Sequence, residues 1–294
     1  ANSIVSGKSS PLHEIPESLL RQYDFYPDDR GIDVFGRLLT GNEREISLLE
    51  TKPRVGVLIQ ARMASTRLPG KVLVQLQGKS MLGHIIDRIR DCKLVDEIVI
   101  ATTNSQADDP IEELAVRNSV EIFRGSEHDV LSRYYYAAMK FGLDTVIRVT
   151  ADCPFIDPEV IDSMILKMQG MAGTDYLSNT LKRTFPRGYD AEIVRFGALK
   201  KAFDSADKPY QREHVTPYIY QNPDCFRLEN FENSRDYSCY RLTLDTADDL
   251  KLVKEIYARS YPVNPKFRFK DIIAILEKDS SLALINAHVV QKTL

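Results

Sequence analysis

From Arg54 onward the apolar positions of the chain fall into two alternating rhythms. Val55–Gln60 (VGVLIQ) and Glu97–Thr102 (EIVIAT) are short apolar runs of the kind found in strands buried on both faces. Between them Met81, Leu82, Ile85, Ile86 and Ile89 recur at helical spacing, which predicts a helix over Met81–Ile89. Val120–Phe123 and Thr145–Val149 read as further strands, with a helix over Val130–Phe141 between them. Two Asp-Pro pairs open helices. Asp109 is the expected N-cap before Pro110, with Glu112 completing a capping box, and Asp157 precedes Pro158 on a helix through Met168. This alternation of strand and helix predicts an α/β fold, a mostly parallel central sheet with right-handed crossover helices on both faces. In such a sheet the loops at the carboxyl ends of the strands carry the chemistry.

The second half is less regular. Asp175–Ser178, Glu192–Arg195, Phe226–Asn230 and Arg241–Leu244 read as strands, some of them antiparallel. Helices are expected at Gln211–Tyr220, Ala247–Ala258, Lys270–Glu277 and Ser281–Val289. Residues 1–52 stand apart, with nine acidic against six basic side chains and a loose opening, Ala1–Pro16. A short helix over Ser18–Tyr26 and a second element over Leu38–Leu49 are expected there. The segment reads as an accessory extension ahead of a main domain over 53–294, and the opening on Ala1 rather than Met points to a processed or cloned start.

Composition narrows the field. A chain of 294 residues holds one large domain, or one plus an appendage, and buries about three-quarters of its unfolded surface without staples. Apolar residues at 43% and charged residues at 28% are those of a soluble globular protein. With 39 basic against 42 acidic side chains, the balance argues against nucleic-acid binding. No apolar run reaches the ~20 residues of a membrane helix, and no signal-peptide core opens the chain. Cys92, Cys153, Cys225 and Cys239 are far apart and have no histidine at metal-ligand spacing, so reduced thiols in the cytoplasm are expected.

The first loop at the carboxyl edge runs Gln60-Ala61-Arg62-Met63-Ala64-Ser65-Thr66-Arg67-Leu68-Pro69-Gly70-Lys71. Between Thr51 and Ile86 there are six basic residues (Lys52, Arg54, Arg62, Arg67, Lys71, Lys79) and no acid. Arg62 and Lys71 bracket a loop that can cradle a polyphosphate, Arg as a planar fork and Lys as a point charge. A merely solvated basic loop fits the composition equally well. Neither G-x-x-x-x-G-K-[ST] nor G-x-G-x-x-G is present.

Two aspartates end apolar runs. Asp152, in Arg148-Val149-Thr150-Ala151-Asp152-Cys153-Pro154, can hold Mg²⁺ together with phosphate oxygens, or can simply form a turn. Asp245 can be a second carboxylate on the same ion, or can flank a Thr246–Asp249 capping box. The loops Ala101–Asn104 and Phe123–Asp129 follow the second and third strands and are suited either to reading a base or to plain turns.

Taken together, Ala61–Lys71, Phe123–Leu131 (FRGSEHDVL), Arg148–Pro154 (RVTADCP), Arg212–Tyr220 (REHVTPYIY) and Leu242–Asp249 resemble the cytidylyltransferases that make CMP-activated acidic sugars. Among these, 3-deoxy-manno-octulosonate and acylneuraminate cytidylyltransferases share the first motif. The remaining motifs look like the spore coat polysaccharide biosynthesis protein F branch. The resemblance runs from Val55 to Val289 and leaves out residues 1–52. It implies a glycosyltransferase-A-like nucleotidyltransferase fold and a Mg²⁺-dependent transfer of CMP from CTP to a small acidic or phosphorylated acceptor, in a homodimer.

By that resemblance Arg62 and Lys71 contact the triphosphate, with Gln60, Ala61, Ser65, Arg67 and Gly70 completing the loop. Asp152 and Asp245 hold the metal. Thr102, Asn104 and Arg124 fall where the base is contacted, and Arg187, Tyr189, Asp190, Arg212 and His214 where the acceptor lies. Cys153 departs from the acidic residue that sugar-acid enzymes often carry after the metal aspartate. That departure extends the acceptor class to phosphate-bearing molecules. The competing function, a glycosyltransferase or nucleotide-sugar binder on the same fold, calls for a D-x-D element, and the chain has none.

Overall fold

The computed structural model describes residues 52–291; the elements expected within 1–51 lie outside the described residues. Nine strands are described: β1 (Val55–Gln60), β2 (Gln75–Leu76), β3 (Lys79–Ser80), β4 (Glu97–Thr103), β5 (Glu121–Gly125), β6 (Thr145–Thr150), β7 (Tyr176–Ser178), β8 (Glu192–Arg195) and β9 (Leu228–Asn230). The helices are α1 (Met81–Arg90), α2 (Asp109–Arg117), α3 (Val130–Lys140), α4 (Pro158–Gly170), α5 (Phe196–Ser205), α6 (Pro209–His214), α7 (Pro217–Tyr220), α8 (Ala247–Ser260), α9 (Phe269–Lys278) and α10 (Ser281–Leu284).

Seven strands form one sheet in the order β5-β4-β1-β6-β8-β7-β9, and only β8 runs against its neighbours. Val55, Val57 and Ile59 of β1 join a core built with α1, α4, α8 and α9. On the other face Tyr134 of α3 donates from Oη to the Leu58 carbonyl, and α3 packs on β1, β4 and β5. The continuous apolar runs are therefore covered on both sides. Strand order reverses at β1, whose neighbours are β4 on one side and β6 on the other. A crevice opens at such a switch point beyond the carboxyl ends of the strands. The loops after β1 and β6 form its two banks.

Several expectations are corrected. Asp109 is the first helical residue of α2 rather than its cap; Asp108 precedes it without a side-chain cap bond, while Asp109 and Glu112 both pair with Arg124. The single helix expected over Gln211–Tyr220 is two, because Pro217 has no N–H to continue α6 and Val215 turns to a φ of 73° between them. Ser281–Val289 is helical only through Leu284. Arg241–Leu244 is not a strand but an extended segment with one bridge, Arg187 to Arg241. Two elements lacked punctuation in the sequence. Helix α5 starts directly from β8 with no loop and no capping bond at Arg195. The β2–β3 hairpin turns at Gln77-Gly78, both at positive φ as a tight hairpin turn demands.

Candidate active site

The loop after β1 is a closed structure rather than a loose basic run. Gly70 N–H donates to the Met63 carbonyl at 3.1 Å, and Met63 N–H donates to Asp108 at 2.7 Å. Gly70, at φ 68°, reverses the chain into a short 3₁₀ turn over Lys71–Leu73. That reversal sends Lys71 across the switch-point crevice.

There its ammonium meets three oxygens: Asp245 at 2.8 Å, the Leu244 carbonyl at 2.9 Å and Asp152 at 3.0 Å. All three ammonium donors are thus satisfied, on a side chain only 12% exposed. Burial works against the charge, but Asp152 and Asp245 outweigh it and hold the Lys71 pKa above its ordinary value. Burial also opposes the Asp245 carboxylate; Lys71, Arg67 and Arg241 overcome it and keep its pKa low. Arg67 reaches Asp245 at 2.9 Å and Arg241 at 3.0 Å. The Asp152 carboxylate is steadied by the Thr150 hydroxyl, which donates to it at 2.5 Å.

Asp245 arrives from 93 residues beyond Asp152 because the 241–245 segment is pinned to the older loops. Leu242 N–H donates to Arg187 O at 2.7 Å, Leu244 N–H to Asp152 O at 2.8 Å, and Thr243 Oγ1 to the same carbonyl at 3.0 Å. Asp249, fully buried, then locks the corner. It accepts from Arg241 Nε at 2.9 Å, from Asn286 at 2.8 Å and from the backbone N–H groups of Asp245 and Thr246. Thr246 and Asp249 do form a capping box on α8. The capping-box reading of this segment therefore holds, and through Asp249 the box also positions Asp245. Arg241 and Asp249 were not singled out as site residues from the sequence; the capping pattern was the available signal for Asp249, and nothing local marked Arg241.

The other expected residues are distributed differently. Arg62 leans to Glu127 at 3.7 Å, with both side chains exposed. Ser65 accepts from Leu68 N–H within the loop, and Ala61 is tied to the Ala101 carbonyl. Gln60 accepts from Arg148 at 3.3 Å. Thr102 is buried with an unpartnered hydroxyl, and Asn104 is exposed at the edge. Arg124 is fully committed to Asp109, Glu112 and the carbonyls of Thr103 and Ser105.

On the acceptor side Arg187 feels Arg183, Asp190, Arg241 and Asp245; burial and the neighbouring Arg183 lower its pKa. Asp190 is clamped by both ends of the Arg183 fork, at 2.6 and 2.9 Å. Tyr189 is a core side chain, fully buried edge-on to Phe269. Arg212 lies away from the two aspartates, on Asp129 and the Phe203 carbonyl. Burial lowers the pKa of His214, which lies near Arg148 and Glu192. Cys153 is buried, its Sγ 3.4 Å from the Thr150 hydroxyl and 3.7 Å from Asp152.

Residues 56–272 match the family model described as cytidylyltransferase. The chain belongs to the cytidylyltransferase family. A cytidylyltransferase from Leptospira borgpetersenii serovar Hardjo-bovis superposes with a TM-score of 0.76 at 36% identity, covering 82% of this chain and 100% of that one. The spore coat polysaccharide biosynthesis protein SpsF of Bacillus subtilis is 34% identical over 77% of this chain and 95% of its own length. The 3-deoxy-manno-octulosonate cytidylyltransferase of Solibacter usitatus is 29% identical over 56% of this chain and 70% of its own. At the level of the fold alone, CMP-2-keto-3-deoxy-manno-octonic acid synthetase matches with a TM-score of 0.55 at 19% identity. This cytidylyltransferase thus carries the family's nucleotidyltransferase fold, a mostly parallel seven-stranded sheet wrapped in helices.

Asp152 and Asp245 are suited to a divalent cation. Their carboxylates already share one cation, the Lys71 ammonium, which means they converge on a common point. Among the described residues no group of three or more His, Cys, Asp and Glu side chains is arranged to hold a metal ion. Two carboxylates with the remaining positions left to phosphate oxygens and water is how Mg²⁺ is commonly held in nucleotide sites.

Proposed function

We propose that the protein transfers CMP from CTP to a small acceptor bearing a carboxylate or phosphate, for surface polysaccharide or glycoconjugate synthesis, and releases pyrophosphate. The observation that carries this reading is the meeting of Lys71, Asp152 and Asp245 at the switch point. A cation from the first loop, a carboxylate from just beyond β6 and a carboxylate from the extended 241–245 segment share one point. The nucleotide and acceptor assigned here rest on family membership and on the names of the relatives.

An acceptor oxygen attacks the α-phosphorus of CTP, the bond from that phosphorus to the bridging oxygen breaks, and the electron pair leaves with pyrophosphate. Most of the catalysis is then positioning and charge stabilisation. Lys71 and Arg67 are placed to neutralise the charge growing on the departing phosphates, with Arg62 at the exposed end of the same loop. Asp152 and Asp245 would hold Mg²⁺, which when bound polarises phosphate oxygens. Arg187, half-buried beside this centre and with no carboxylate clamped to it among the described residues, is the cation offered to an anionic acceptor. A phosphate acceptor attacks through an oxygen that is already ionised and needs no dedicated base, whereas a sugar acid attacks through a hydroxyl that gives up its proton to water as the new P–O bond forms. All four cysteines are free, which supports a reducing, cytoplasmic setting, and a homodimer completes the reading.

The test is pyrophosphate release from CTP with Mg²⁺ across a panel of sugar acids and sugar phosphates, with nucleotide sugars as the competing donors. Turnover with CTP, reduced more than tenfold in Asp152→Ala, is the expected result. Turnover of nucleotide sugars with none from CTP would refute the reading.

A further inference from the structure

The four carboxylate oxygens of the centre are divided unevenly among their partners. Asp152 Oδ1 accepts from the Thr150 hydroxyl at 2.5 Å, and Asp245 Oδ2 faces Arg67 at 2.9 Å and Arg241 at 3.0 Å. The other two oxygens, Asp152 Oδ2 and Asp245 Oδ1, are the pair that converges, and the Lys71 ammonium binds both, at 3.0 and 2.8 Å. Its third donor goes to the Leu244 carbonyl at 2.9 Å. With the Lys71 side chain only 12% exposed, the ammonium is seated within the centre rather than lying over it.

Mg²⁺ takes oxygen ligands at about 2.0–2.1 Å in near-octahedral geometry. It cannot share the converging oxygens with an ammonium already bonded to both, because two positive charges would meet at one point. The ammonium can leave that seat. It ends a flexible four-carbon stem, so the head can move while the 3₁₀ turn over Lys71–Leu73 stays in place. When it goes, Arg67 and Arg241 remain on Asp245 and Thr150 remains on Asp152, which keeps both carboxylates aimed at the vacated point. A triphosphate carries more negative charge than these two carboxylates, one of which Arg67 and Arg241 already compensate.

We propose that Lys71 is a resident stand-in for the metal. Its ammonium fills the carboxylate pair in the nucleotide-free protein and leaves only when a triphosphate offers a stronger anionic partner, so that metal and nucleotide enter together. The inference rests on the cytidylyltransferase reading above for its two ligands and goes beyond it in making one residue couple them. The coupling is reciprocal: the factor by which nucleotide raises metal affinity is the factor by which metal raises nucleotide affinity.

The test uses the full chain without nucleotide and Mn²⁺ alone as the probe, a cation equally suited to carboxylate oxygen. Binding is followed by the paramagnetic signal of free Mn²⁺ and by thermal shift. The wild type binds Mn²⁺ weakly and its melting temperature does not move. Lys71→Met binds the ion at least about tenfold more tightly, an ordinary size for a coupling between sites, and Mn²⁺ restores part of the melting temperature that the substitution removes. Adding Asp152→Asn to Lys71→Met abolishes the gain. Lys71→Gln, neutral but still polar, gains Mn²⁺ affinity as Lys71→Met does and takes its place if that variant does not fold. Equal Mn²⁺ affinity in the wild type and the neutral variants would overturn the proposal, and so would a gain that survives Asp152→Asn. Failure of the underlying reading shows separately, as a wild type that CTP with Mg²⁺ does not stabilise.

Discussion

Lys71 is the residue on which the centre turns. Among the described residues its ammonium is the one cation paired with both aspartates, and without it two partly buried carboxylates face each other. Lys71→Met should cost about 2 kcal/mol of stability, below the value for a fully buried pair because Asp152 keeps 28% of its side-chain exposure. Asp245 keeps Arg67 and Arg241, so the charge left stranded is Asp152; adding Asp152→Asn removes it, and the double variant should be more stable than the sum of the two single losses, whereas additive denaturation midpoints would contradict the geometry. His84 carries a different residue-scale consequence. Its ring is buried with Nε2 against the Leu76 carbonyl at 2.7 Å, and burial lowers its pKa. The folded state therefore binds that proton less readily than the unfolded chain. The contribution is complete above the ordinary histidine pKa of about 6.5 and is lost as pH falls through the folded value. Urea midpoints at pH 5.5 and 7.5 should differ more for the wild type than for His84→Gln, and an unchanged difference would exclude His84 as the source.

At the scale of elements, the decisive piece is the extended 241–245 segment, which is neither strand nor helix. It holds its place through Arg187, and Gly188 makes the approach possible. At φ 104° a Cβ on Gly188 would stand 2.5 Å from the Leu242 carbonyl. Gly188→Ala should cost about 3 kcal/mol through backbone strain and overpacking together. Although Gly188 belongs to no proposed contact with substrate, the same substitution should lower turnover at least tenfold by shifting Asp245. Melting temperature and kcat measured on one preparation check both halves, and a stable, fully active variant would contradict them. The sequence did not reveal this device, since Arg-Gly-Tyr at 187–189 reads as an ordinary turn until its distant neighbour is known. The helices α1, α3 and α4 were legible because their apolar spacing and Asp-Pro start need only local information. The break at Val215 was not, because Val215 itself favours extended backbone and only Pro217 hinted at an interruption.

Over the whole molecule, the centre is electrostatically complete without a metal. Lys71, Arg67 and Arg241 compensate Asp245, and Asp249 is locked to Arg241 and Asn286. Chelation should therefore stop turnover while leaving the melting temperature of the unliganded protein unchanged, and a large drop on adding EDTA would mean a structural ion elsewhere. CTP with Mg²⁺ at 100 times the dissociation constant should in turn stabilise the fold by about 2.7 kcal/mol.

The sequence by itself determined the alternation of strand and helix, the acid-free basic loop, the two aspartates at the ends of apolar runs, and, through ordered motifs, the family. These are local properties, set by side-chain spacing, backbone preference and turn chemistry within some ten residues. Only the tertiary structure decided which charges meet. It turned Lys71 onto both aspartates, tied Arg124 to Asp109 and Glu112 and Arg212 to Asp129, put Tyr189 in the core and left Arg133 buried without a hydrogen-bond partner among the described residues. Charge pairing is settled by distances of a few ångströms between residues up to 177 positions apart, and no local pattern in a chain encodes such a distance.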